Sequence, residues 1–213
     1  MKLLKLLTIG ARKGPIRTVV DLVGAISEGA AYLAQGASYS YMRARSGLMG
    51  PRLMQDPVFG ANMERCKWEG FAAIAGDLIL MVETELRRFG SAPPAIWQRI
   101  YREALAMQGS PEHRAETGWD DRIDEFERQL EAHLAQPVRD IKVLCAHGAG
   151  VLMDNTPVTE DIRGLDREMV VNNVTFRFIE HVGQLRQRAD WRALMASITM
   201  ASDANYLDQK DNG

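Results

Sequence analysis

A chain of 213 residues, 46% hydrophobic and 25% charged, is long enough to bury a real core and has the make-up of an ordinary globular protein. Its net charge of −2 excludes a global bias toward nucleic acid or anionic lipid. Cys66 and Cys145 lie in apolar helical contexts without metal-ligand spacing, which reads as two buried, reduced thiols in a cytoplasmic protein.

The charge is unevenly spread. Residues 1–52 hold eight basic side chains against Asp21 and Glu28, a net +6 that leaves −8 for the remainder. Such asymmetry points to an anionic partner for the first part, or to docking of one part on the other.

The N-terminus, MKLLKLLTIGARKGP, interrupts its leucines with Lys5 and follows them with Arg12 and Lys13. It lacks the long apolar run and cleavage site of a secretory signal and reads as a short basic amphipathic helix, residues 1–14, suited to a membrane surface or a protein partner. Lys2, Lys5, Arg12 and Lys13 are its candidate partner-binding residues. From Pro15 to Gly47 comes a long helical stretch rich in Gly24, Ala25, Gly29, Ala30, Gly36 and Ala37. Small residues let helices approach closely, so this stretch offers a packing face for self-association, most simply as a symmetric dimer. Asp21, Glu28 and Gln35 argue against its crossing a bilayer. The breaker-rich connection that follows carries Arg43, Arg45 and Arg52 near Tyr39 and Tyr41, the candidate anion-binding cluster.

Asp56 and Pro57 then start a helix of about residues 57–89, which Gly90 is placed to close in the left-handed conformation. Between Phe71 and Val82 it is apolar or small on all sides, so other helices must surround it. Further helices are read from Pro93 to Met107, with Met107 on the inner face, and from Trp119 to Gln136 after a polar loop. Pro137 begins another that runs through Met153, Asp166 is placed to cap the next, and Asp190 to cap the last. The organisation predicted is an all-α multi-helix bundle around a central buried helix. It comprises the N-terminal segment, one helical domain over residues 15–202 and a polar tail over 203–213 that frays.

No sequence motif announces a reaction. Glu-x-x-His, HExxH, CxxC, Walker A and GxSxG patterns are all missing, so no metal or cofactor is expected. The glycosylation sequon at Asn173 lies mid-helix and is discounted. What remains is polar residues in apolar surroundings: Asp77 in the most apolar run, His147 beside Gly148, His181 beside Val182, and Asn172 and Asn173 among valines. A pocket lined by Trp68, Phe71, Asp77, His147 and His181 is one functional expectation, in which Asp77 meets a histidine or arginine across the bundle. The favoured expectation is a non-enzymatic adaptor, assembly or regulatory protein, peripheral to a membrane or bound to a protein partner, with nucleic acid the least favoured partner.

Overall fold

The computed structural model describes residues 14–211 other than 54, 138 and 139. The described chain is an all-α bundle. The predicted helix of residues 1–14, with Lys2, Lys5, Arg12 and Lys13, lies outside the described residues except for Gly14.

The first helix, α1 (Val19–Ser46), is started by a capping box in which Thr18 accepts from the Asp21 amide and Asp21 accepts from the Thr18 amide. A short turn, α2 (Gly50–Leu53), leads to α3 (Pro57–Leu86), whose first turn is fixed by Asp56 accepting from the Phe59 amide at 2.8 Å. Every residue of α3 from 66 to 83 is buried, as a helix apolar all round requires. It ends at Leu86, earlier than the spacing predicts. Phe89 lies beyond it, 37% exposed, and Gly90 at φ 158° does not sit in the compact left-handed well.

Around α3 stand α4 (Pro94–Gln108), α5 (Asp120–Leu134), α6 (Ile141–Leu144), α7 (Ala146–Asp154), α8 (Glu160–Arg188) and α9 (Trp191–Asp211). Helices α1 and α7 both pack on α3, α8 packs on both α1 and α7, and α4 packs on α1, α3 and α5. Glycines set the closest approaches. A Cβ at Gly148 would stand 2.7 Å from both Asp77 Oδ2 and Ile74 Cγ1, so α7 can rest on α3 only because residue 148 has none. The small-residue side of α1 is used within the chain: Gly29 faces the His181 ring of α8 and Gly36 faces Arg177.

Several boundaries depart from the pattern. The helix expected from Pro137 breaks at Cys145 into α6 and α7. Asp166 does not cap α8, which begins one and a half turns earlier at Glu160; it is buried inside the helix, paired with Arg45 and Tyr41. Asn172, Asn173 and Met107 are exposed, not inward. The loop after α4 carries a 3-10 turn, Glu112–Arg114, that buries Arg114. The backbone of α9 stays helical through Asp211, past the start expected for the tail.

The entry to α1 meets the corner between α8 and α9. Ile16 donates to the Arg188 carbonyl and accepts from the Asp190 amide, both at 3.0 Å, a single bridge that ties the entry of α1 to the α8–α9 corner.

Candidate functional site

Three polar regions are built into the bundle, and they differ in what they offer a ligand. In the core, Asp77 of α3 is 1% exposed; its Oδ2 accepts from the Gly148 amide at 2.8 Å, and its Oδ1 has no hydrogen-bond partner among the described residues. Burial pushes its pKa well above the ordinary carboxylate value, against the Gly148 hydrogen bond, and the charge of Glu125 adds to the rise. The group that meets Asp77 across the bundle is therefore a backbone amide, in place of the expected histidine or arginine.

His147, next to Gly148 on α7, comes within 3.6 Å of Glu125 on α5. Burial lowers its pKa, Glu125 opposes that shift and Arg122 reinforces it. Trp68 meets Phe71 edge-on at 5.9 Å and lies 6.4 Å from Trp119. His181 faces Gly29 at the α1–α8 contact, whereas Asp77 is held at the α3–α7 contact. The structure thus joins Asp77 to the His147 turn and Trp68 to Phe71, and sets His181 apart from both.

The second region was not singled out from sequence. Glu69, 2% exposed on α3, accepts from Arg114 at 2.6 and 2.8 Å, from Arg122 at 2.8 and 2.9 Å, and shares a 2.9 Å bond with His113 Nε2. Burial works to raise its pKa, but the hydrogen bonds of Arg114 and His113 and the charges of Arg114 and Arg122 hold it at about 2. Arg114 also binds Asp121 and lies over the Trp119 ring at 4.9 Å, while Arg122 reaches Glu125 at 2.6 Å. Every charge here is met from within the chain, which makes the network a clamp between α3, the 3-10 turn and α5. A comparable but smaller clamp joins α3 to α5 through Glu83, His133 and Arg87, with Glu83 to His133 at 2.7 Å.

The third region is open. Where the C-terminus of α1, α2, the start of α3 and the α7–α8 link converge, a groove of about 930 Å³ is walled by Leu53, Val58, Phe59, Val158 and Ile162. Arg45, Arg65 and Arg163 also line it. A second hollow of about 420 Å³ shares Met42, Ser46 and Phe59 with it and adds Tyr39 and Arg43. Two of the three sequence-predicted arginines thus line these hollows. Arg45 is committed: it forks both oxygens of Asp166, whose Oδ2 also accepts from Tyr41 at 2.8 Å. Arg43, Arg52 and Arg65 are exposed and make no ion pair among the described residues, and the Arg163 Nε is buried without a partner. The two acids in the groove lining are occupied, Asp56 by the α3 cap and Asp154 by Arg167.

Comparisons with protein-family models, curated proteins and solved structures return no match.

Among the described residues no group of three or more His, Cys, Asp or Glu side chains is placed to hold a metal ion, and no helix is long and apolar enough to cross a membrane. The open end is where uncommitted charge, apolar wall and accessible volume coincide. Leu48, Met49 and Val58 stand out there, 100%, 52% and 69% exposed. Sequence reading found the arginines of this end but not its other half, because Arg65, Val58 and Arg163 come from α3 and α8 and only the fold assembles them.

Proposed function

We propose that the protein is a non-enzymatic, peripheral membrane adaptor that rests the tip between α1 and α3 on an anionic lipid surface. The observation that carries this reading is the placement of Leu48, Met49 and Val58 in solvent among Arg43, Arg52 and Arg65, cations with no acidic partner among the described residues. Apolar side chains that enter the interface, ringed by cations that meet lipid phosphates, are the elements of reversible surface binding. Each arginine contributes about 1 kcal/mol near an anionic leaflet. The groove behind the tip gives an acyl chain somewhere to lie, and the buried Arg163 Nε supplies an unused donor at its wall.

The basic, leucine-rich residues 1–13 supply a second contact of the same kind in this reading. They join the described chain at Gly14, the far end of α1 from the tip, a helix of 28 residues and so about 42 Å long. The two contacts are separable by experiment. Flotation with liposomes containing phosphatidylserine, at low and high salt, is run on the full chain, on a chain lacking residues 1–13, and on Arg43→Glu/Arg52→Glu. Losing two cations costs about 2 kcal/mol, so partitioning of the double variant should fall about 30-fold or more. Unchanged flotation of the double variant overturns the tip assignment, and no flotation of the full chain overturns the membrane reading.

A further inference from the structure

Helix α8 is amphipathic twice over. Its inner face, Val170, Val174, Phe178, Val182 and Leu185, is buried against the bundle. On the opposite face stand Leu165, Met169, Phe176 and Ile179, exposed by 81%, 49%, 71% and 38%. With the exposed Asn172 these residues are spaced four, three, four and three apart, and at 3.6 residues per turn they fall within an arc of about 80°. That is the spacing of a coiled-coil seam with one polar residue at its middle. Nothing in the bundle explains it, since solvent-facing positions of a helix carry no reason to be apolar at that period.

We infer that this face pairs with its own copy, so that α8 is the seam of a symmetric, antiparallel dimer of this chain. The pattern is self-complementary about Asn172. With a two-fold axis through that residue, Asn172 meets Asn172 of the second copy, Leu165 comes opposite Ile179, and Met169 comes within one residue of Phe176. The charges agree with the same orientation. The first turn of α8 holds Glu160 and Asp161 and its last turn Arg188, whose side chain meets only the Gly14 carbonyl among the described residues, while Arg186 is held by Glu85. Antiparallel pairing thus brings each acidic end alongside a basic one and sets the two helix dipoles head to tail. The flanks of the stripe hold Glu168 and Glu180, both exposed, which disfavour an anionic membrane as the occupant. The polar Asn172 fixes the register, because any slip sets its amide against an apolar side chain. The seam differs from the small-residue face of α1, which α8 itself covers, and it stands independently of the membrane reading.

The test is sedimentation velocity on the full chain from 1 to 200 μM, with Leu165→Glu/Phe176→Glu beside it. Both positions are exposed, so the variant should keep its helical circular dichroism; Phe176→Gln is the milder second variant. A dimer of the 23.8 kDa chain that becomes monomeric in the double variant, and dissociates at least tenfold more readily in Phe176→Gln, is the expected result. A monomer at every concentration overturns the proposal, as does a dimer indifferent to both variants. Orientation is read by mixing Leu165→Cys with Ile179→Cys chains under mild oxidation, Cys66 and Cys145 being buried. A disulfide joining the two different variants supports the antiparallel seam, and disulfides of Leu165→Cys only with itself refute it.

Discussion

Replacing Glu69 with glutamine removes one charge from the carboxylate at the centre of the α3–α5 clamp while keeping its shape. The carboxyl is held at about 2, below its ordinary 4.5, by Arg114, His113 and Arg122 despite the opposing effect of burial. That preference for the ionised form corresponds to about 3 kcal/mol, since each tenfold change in proton affinity is about 1.4 kcal/mol. Losing one member of a buried ion pair independently suggests a loss of about 3–5 kcal/mol. Asp121 and Glu125 remain to Arg114 and Arg122, so the lower end applies. For a chain of this size Glu69→Gln should lower the melting temperature by about 6–12 °C. A group whose pKa is depressed on folding contributes fully above its unfolded value and loses that contribution as pH falls through the folded value. The gap between native and variant proteins in urea unfolding should therefore be widest at pH 7. It should narrow by about 1 kcal/mol at pH 3.5 and vanish near pH 2. A variant within about 0.5 kcal/mol of the native protein at pH 7, or a gap that does not shrink in acid, refutes the assignment of Glu69 as an ionised clamp.

Asp77→Asn has the opposite sign. Burial raises the Asp77 pKa, so the native protein is favoured in acid and loses ground as pH rises above the unfolded value; the variant should be the more stable of the two at pH 8, and urea titrations at pH 4 and 8 read the crossover. Gly148→Ala pushes a methyl onto Asp77 and the Ile74 backbone, 3.2 Å from its Cα, and should cost about 2–3 kcal/mol in chemical denaturation. Lys67, 0% exposed beneath Tyr39 and paired with Glu64, should tolerate Lys67→Met with little change in melting temperature. Glu64→Ala strands the buried ammonium and should lower it clearly.

How far the sequence foretold this molecule depends on the range of the interaction. Helix existence is local: the Asp56–Pro57 start, the all-round apolar run of α3 and the Asp190 start of α9 were legible because caps and periodicity act within a few residues. The charged clamps were not legible. Glu69 lies 45 residues from Arg114 and 53 from Arg122, and all three look like ordinary solvated charges until α3, the 3-10 turn and α5 bring them together. Asp166 illustrates the confusion in the other direction. An aspartate ahead of an apolar run is a good cap by pattern, yet a tertiary partner, Arg45, claims it mid-helix. The outer stripe of α8 was hidden for a related reason. Two opposed apolar faces on one helix read as a single broad face until packing shows which of them is covered.

The bridge between Ile16 and the Arg188–Asp190 corner has a consequence for how the chain is made. On the ribosome α1 and α3 emerge early and can pair, but the flank of α1 destined for α8 and α9 waits for the last quarter of the sequence. Until then Ile16, Ile26 and their neighbours, buried in the finished fold, face water on a nascent chain. The closing step joins residues more than 170 positions apart, so it is entropically expensive and waits until the α8–α9 corner has left the exit tunnel. Chaperones that shelter apolar surface during that interval should then raise the yield of folded protein.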